Sequence, residues 1–365
     1  MMGQDRLAAL GAVMRGRDAA SRAMRDFAIV TLAPAGLLVA GVVLGGWVAV
    51  LALIFISPIV WALDRSAARA APHVPGADEF PAADGLSVVL ALMHLVLLPF
   101  MVWALAGGVV LSTGAWLALF AGFGLWIGQV SNSNAHELIH RQDRGLRALG
   151  VAVYASVGYG HHASAHRLVH HRHVATGDDP NTALRGEHVY AFMRRAWPAE
   201  FVAGWQMETV LRTRARRRGL HPYAVYLGAV VLAMGLAVGL GGAAGLFIWA
   251  GLAIWAQMQL LLSDYVQHYG LLRARLPGGK PEPVGPQHSW DAPHWASSAL
   301  MLNAPRHADH HAHPGRAYPA LDLPDGGLRL PYSLPVMAAL ALVPPVWFRV
   351  MDRRLPPEPP PSFRL

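Results

Sequence analysis

GLSVVLALMHLVLLPFMVWALAGGVVLSTGAWLALFAGFGLWIGQVSNSNA, residues 85–135, runs for 51 positions without an Asp, Glu, Lys or Arg. A helix crosses the hydrocarbon core of a bilayer in about 20 residues, so this stretch is long enough to cross twice. Gly107-Gly108 stands near its midpoint, and paired glycines favour a tight reversal because they tolerate positive φ and weaken helix continuity. Working outward, residues 27–63 form an uncharged run of 37 around Gly45-Gly46, and residues 222–263 one of 42 around Gly241-Gly242. The pattern predicts an all-α polytopic membrane protein with six transmembrane helices, near 27–44, 47–63, 86–106, 109–130, 223–240 and 243–262.

The charges are confined to residues 1–26, 64–84, 136–218 and those beyond 263, which six crossings place on one side. Residues 131–221 alone carry 13 Arg against 7 acidic residues, and an excess of basic residues marks the cytoplasmic side. Residues 1–26 read as a basic cytoplasmic segment. Its Arg6, Arg15, Arg17, Arg22 and Arg25 suit a helix lying on the inner leaflet, and a flexible tail fits them equally. Residues 27–355 read as one membrane domain and 356–365 as a Pro-rich tail. Residues 335–350 are apolar but broken by Pro344-Pro345, which suggests a partly buried or re-entrant cap at the cytoplasmic interface.

Of the 365 residues, 54% are apolar and 14% charged, which excludes a disordered chain or a nucleic-acid-coating protein. There is no Cys, so disulfides, thiolate metal sites, iron–sulfur clusters and cysteine nucleophiles are excluded. The 19 His stand against that absence. Any bound metal must take imidazole or carboxylate ligands.

The histidines are grouped: His136 and His140 in HELIH, His166, His170 and His171 in HRLVHH, and His307, His310 and His311 in RHADHH. Spacings of i, i+3 and i, i+4 place two rings on one helical face. Imidazole suits iron, zinc, copper and nickel alike, so the motifs leave the metal open. The three groups offer eight ligands, or nine with His268, which two metals use economically. His73, His94 and His221 stand alone and read as capped, solvated or hydrogen-bonded residues, as do His188, His313, His161 and His162.

HELIH also matches HExxH, the zinc-protease signature in which Glu is the general base. A protease needs only one further ligand and leaves the other clustered histidines unexplained. With two metals, Glu137 is instead expected to hold the ring N–H of a ligand, as are Asp178, Asp179 and Asp309.

With HELIHR at 136–141, HRLVHHRHVATGDDP at 166–180, HYGLLR at 268–273 and RHADHHAHP at 306–314, the chain resembles the integral-membrane alkane 1-monooxygenases. These alkane omega-hydroxylases belong to the wider membrane fatty-acid desaturase and hydroxylase superfamily. RGEHVYAF, QHSW and PPVWFRVMD extend the likeness over roughly residues 30–355. The resemblance implies a six-helix fold with a histidine-rich di-metal cap at the cytoplasmic ends of the helices, in the bacterial inner membrane. It implies two non-haem irons held by His136, His140, His166, His170, His171, His268, His307, His310 and His311. It further implies O₂-dependent hydroxylation of the terminal methyl of n-alkanes, with electrons from NADH or NADPH through a reductase and a rubredoxin. Departures include Ala165-His166-Arg167-Leu168-Val169-His170-His171 where EHNxGHH is common, Ala308 for Ser, and Gln267 where some members have Glu. They spare the ligand spacing and bear on substrate range; Arg306 favours the alkane side over the xylene-oxidising relatives.

No side-chain acid, base or nucleophile usefully attacks an unactivated C–H bond, so that chemistry falls to metal and O₂. Substrate dissolved in lipid is expected to enter between helices, along a channel drawn from 86–106, 109–130 and 243–262. Arg212, Arg214, Arg216, Arg217 and Arg218 could steer an acidic electron donor, or simply mark topology. The same chemistry on an aromatic methyl or fatty acyl chain is the nearest alternative. A metal transporter needs ionisable residues within the crossings, and the three runs offer only His94.

Overall fold

The structure is a computed structural model and describes residues 2–66, 74 and 81–357, with side chains from residue 20 onward except that of residue 81. His73 and residues 358–365 of the expected tail lie outside the described residues, as do the side chains of Arg6, Arg15 and Arg17. The architecture of the described residues is helical, with a single two-residue parallel pairing, β1 (Trp290–Asp291) beside β2 (Leu328–Arg329).

Helix α1 (Met2–Leu44) runs unbroken through residues 26 and 27. It is followed by α2 (Gly46–Ser66), α3 (Ala82–Gly108) and α4 (Thr113–His140). After α5 (Arg144–Ser156), α6 (162–173) and α7 (Val189–Arg214) comes α8 (Pro222–His268). Among the described residues, five helical segments, Ala20–Leu44, α2, α3, α4 and α8, are long and apolar enough to cross a bilayer. Large apolar side chains such as Val96, Leu117, Val231, Leu232 and Phe247 are exposed on them, the signature of a lipid-facing surface. The protein is a multi-pass membrane protein.

The reversals sit at the paired glycines. Gly45 and Gly46 have φ of 63° and 54°, and a Cβ on Gly41 would lie 2.8 Å from Ala49 Cα. Eight residues span about 12 Å along a helix, so the chain has folded back there. Gly107, at φ 104°, opens the second reversal; the Ser112 hydroxyl then caps α4, and Trp116 Nε1 donates to Leu105 O at 2.9 Å. Within α8 the backbone leaves helical geometry at Gly241 and Gly242 (φ 58°, ψ −142°). A Cβ on Gly245 would collide with the Ala237 carbonyl, so this 47-residue helix also doubles back.

The polar half of the chain packs over the ends of α4 and α8. Helix α5 sits so close to the end of α4 that a Cβ on Gly150 would meet Leu138 Cβ at 2.7 Å and Ala135 O at 2.9 Å. Short helices α9 (Trp295–Leu300) and α10 (His307–Ala312) follow. The last helices among the described residues are α11 (Leu334–Ala341) and α12 (Pro344–Met351), parted at Leu342 and Val343. Trp347 of α12 is buried against Tyr265 and Tyr269, which fastens this cap to the end of α8.

Candidate metal centre

Nine histidines converge in two groups. His136, His140, His166, His171 and His310 form one, and His170, His268, His307 and His311 the other. Within each, one ligand atom per residue lies within 4.8 Å of every other. Helix geometry explains the sorting. His136 and His140 share a face of α4, and His307 and His311 a face of α10, each pair four residues apart. Residues 166–170 instead form a π-turn, whose wider winding puts His166 with His171 and sends His170 to the other group. The i, i+4 spacing does bring the rings of His166 and His170 together, 5.0 Å apart, although their ligand atoms belong to different groups.

The donor set fits cations. His166 Nε2 lies 2.8 Å from His136 Nε2 and 3.0 Å from His171 Nε2. His307 Nε2 lies 3.0 Å from His268 Nε2 and 3.1 Å from His311 Nε2. A neutral imidazole carries one N–H, so three converging ring nitrogens cannot all be satisfied by protons. Two nitrogens each about 2.1 Å from one ion, at right angles, stand about 3.0 Å apart. His140 Nε2 and His170 Nε2 are buried without a hydrogen-bond partner. Burial, followed by the neighbouring imidazoles, holds His166, His171, His307, His310 and His311 well below the ordinary histidine range. They are therefore neutral, with lone pairs free for a metal.

The outer nitrogens show which carboxylate matters. His170 Nδ1 donates to Asp179 Oδ2 at 2.9 Å; burial pushes this ring down, but the carboxylate outweighs it and the pKa is raised. Asp179 is fixed by Thr182 Oγ1 at 2.7 Å and the Asn181 amide at 3.1 Å. His268 Nδ1 donates to the His288 carbonyl at 3.2 Å. The other three acidic candidates touch none of the nine. Glu137 accepts from Arg141 at 2.6 Å and from the Tyr318 amide at 3.1 Å, because its face of α4 turns toward α3 and the loop after α10. Asp309 binds His313, Arg316 and the Asp322 amide. Asp178 is exposed, and its nearest imidazole is His173 at 3.9 Å.

Several of the other described histidines have partners elsewhere, whereas His161, expected to be capped, solvated or hydrogen-bonded, is buried with Nε2 unpartnered. His188 and His221 accept amides at the starts of α7 and α8. His94 is held by Ser131 and Ser156. His162 Nδ1 meets Glu200 Oε1 at 2.5 Å, and Tyr159 donates to Glu200 Oε2 at 2.7 Å. Sequence reasoning missed Glu200, Asn181 and Asp264, which form a buried polar layer beside the centre, Asn181 donating to Asp264 at 2.7 Å. Asp264 was a findable signal: it is the first charge after an uncharged run, one turn before His268. It also missed Asp291, whose Oδ1 accepts the Ala308 amide at 2.9 Å and so anchors α10. The Arg212–Arg218 run closes α7 and the following loop, with Arg214, Arg216, Arg217 and Arg218 exposed and Arg212 donating to Gly219 O.

A cavity of about 490 Å³ reaches both groups, at His136, His166 and His307. Near the imidazoles its wall is polar, with Asn132, Ser133 and Asp264; farther out it is Leu125, Ile254, Trp255, Met258 and Ala338. Ile254, Met258 and Leu342 are exposed on the outer surface. Of the three runs expected to supply a channel, those within α4 and α8 line it; α3 does not, and α11 takes its place.

The profile of the fatty acid desaturase family matches residues 111–323, which span every histidine of both groups. Alkane 1-monooxygenase 1 of Alcanivorax borkumensis is 36% identical over 247 residues, 66% of this chain and 60% of that protein. Alkane 1-monooxygenase 1 of Pseudomonas aeruginosa is 32% identical over 281 residues, 74% of this chain and 73% of that protein. The xylene/toluene monooxygenase hydroxylase component of Pseudomonas putida is 25% identical over 225 residues. Aligned stretches thus span about 60% of the length of relatives such as the Alcanivorax protein. The chain belongs to the fatty acid desaturase superfamily and, within it, to the alkane 1-monooxygenase family.

Proposed function

We propose that the chain is a rubredoxin-dependent di-iron monooxygenase that converts n-alkanes to 1-alkanols. The observation that carries this is the cavity, whose outer wall is apolar, whose inner wall is polar, and which reaches imidazoles of both groups. Five and four nitrogen donors hold two irons, and the set of five exceeds the four of a structural zinc site. When bound, the irons supply the redox chemistry with O₂ that an unactivated methyl requires. The balanced reaction consumes alkane, O₂, two electrons and two protons and yields alkanol and water.

The residues divide the remaining work. Asp179 keeps the His170 proton on Nδ1 and its Nε2 free for metal. Leu125, Ile254, Trp255 and Met258 exclude water and hold the chain with one end toward His136, His166 and His307. Asn132 and Ser133 offer the new hydroxyl a hydrogen bond as it leaves. In this reading the doubled-back α8 makes six crossings, both termini and the irons lie on the cytoplasmic side of the inner membrane, and a rubredoxin, reduced by its NAD(P)H-dependent reductase, meets the exposed arginines that follow Arg212.

The test is whole-cell conversion in a host lacking alkane oxidation, with a rubredoxin and its reductase co-expressed. n-Alkanes, toluene and a free fatty acid are offered under ¹⁸O₂. Labelled 1-alkanol, lost in His307→Ala, is the expected result. Label confined to benzyl alcohol or a hydroxy acid overturns the alkane assignment.

A further inference from the structure

An unbroken series of aromatic rings leads from the metal centre to the surface along α7. The His166 ring is 4.9 Å from that of His162, which stacks on Tyr159 at 5.3 Å and 11°. Tyr159 lies 4.6 Å from His161, His161 5.0 Å from Phe201, Phe201 5.0 Å from Tyr223, and Tyr223 5.2 Å from Trp205. The inner end is buried, with Tyr159 at 1% exposure, and the outer end is open, with Trp205 at 42%. We propose that this series is an oxidative escape route that carries an oxidising equivalent from the centre to Trp205 when O₂ has reacted with no alkane in place. It rests on the reading above only in requiring that the centre activate O₂.

The feature that separates this route from ordinary packing is the partner of the Tyr159 hydroxyl. Oxidised phenols are strong acids, so a tyrosine gives up an electron readily only where a base takes its proton. Tyr159 donates to Glu200 Oε2 at 2.7 Å, and this buried carboxylate stays ionised, held by His162 against the upward push of burial. Tyr154 is equally close to His162, at 5.1 Å, but its hydroxyl donates to the Asn132 carbonyl, which is no base. The geometry therefore favours Tyr159 over Tyr154. Phenols and indoles yield electrons only to strong oxidants, so the route carries oxidising equivalents outward and is not the path by which the electron donor reduces the centre.

One electron passes from Tyr159 to the oxidised centre while its phenolic proton passes to Glu200. Trp205 returns one electron to Tyr159, which recovers its proton from Glu200. The oxidised indole at the surface is reduced by a soluble one-electron donor of the ascorbate class.

The test uses the purified, iron-loaded protein, reduced chemically with dithionite, freed of excess reductant and exposed to O₂ without alkane. Radicals are read by freeze-quench paramagnetic resonance and oxidised side chains by peptide mass spectrometry. Wild type is expected to show an aromatic radical and oxidation concentrated at Trp205. Tyr159→Phe, which keeps the ring and removes the proton, is expected to lose both, with damage moving to the metal-site histidines. Trp205→Phe is expected to leave a longer-lived tyrosyl signal. Both variants are expected to match wild type in initial rate when alkane is saturating. Identical radical spectra and identical damage sites in all three proteins overturn the proposal. Alkanol formation by the same preparations is scored separately, so a wrong substrate assignment is distinguishable from a wrong route.

Discussion

Among the described residues, Asp179 is the one carboxylate in direct contact with a proposed ligand imidazole, and the consequence is testable at that atom. Asp179→Ala leaves His170 free to turn or to carry its proton on the wrong nitrogen. Losses of such outer partners cost about 10- to 100-fold in metal affinity, so a chelator-competition titration is expected to show a weakened site of that size. Glu137→Gln is expected to keep its full metal content, because Glu137 binds Arg141 and the Tyr318 amide instead. Retained metal with retained hydroxylation separates this protein from the zinc proteases that share HExxH. Glu200 supplies a pH dependence. His162 holds its pKa down from 4.5 to about 2 despite burial. A depressed carboxylate stabilises the fold fully above its ordinary value and ceases to as pH falls. The stability advantage of wild type over Glu200→Gln is therefore expected to shrink between about pH 4.5 and pH 2, as read by thermal unfolding in detergent.

Elements, rather than single residues, decide how the histidines are shared. Regular spacing made the three boxes legible in the sequence, because imidazoles four apart stand on one helical face. The sharing between groups was not legible, because a π-turn at residues 166–170 has no compositional mark. The paired glycines were legible as breaks, since Gly242 adopts a conformation that L-residues avoid. The acidic partners were mostly misread: proximity in sequence suggested Glu137 and Asp309, but a helix turns neighbouring side chains to different faces. The close approach of α5 to α4 gives the prediction at this scale. Gly150→Val must push aside Leu138 and the Ala135 carbonyl, and overpacking of this kind typically costs about 1–3 kcal/mol. The iron content and melting temperature are both expected to fall, whereas Gly36→Ala, with nothing within 4 Å, is expected to change neither.

The molecule as a whole is a lipid-facing helical bundle with its polar chemistry gathered at one end. Absence of Cys makes that disposition directly measurable. A single cysteine at Arg217 is expected to react with an impermeant maleimide only in inverted vesicles, and one at Ser112 only in right-side-out ones. Truncation of Trp255 lengthens the apolar arm of the cavity. Trp255→Ala is expected to move the preferred n-alkane to a longer chain, read as a product profile over an equimolar alkane mixture. Discrimination per methylene is about 1–3 kcal/mol.

The exposed rim of Ile254, Met258 and Leu342 carries a kinetic corollary. A mouth that faces hydrocarbon samples substrate by its mole fraction in the bilayer, not by its molarity in water. Adding inert phospholipid at fixed enzyme and fixed total alkane dilutes the substrate in two dimensions. Turnover below saturation should then decline in proportion, as for an enzyme obeying surface-dilution kinetics.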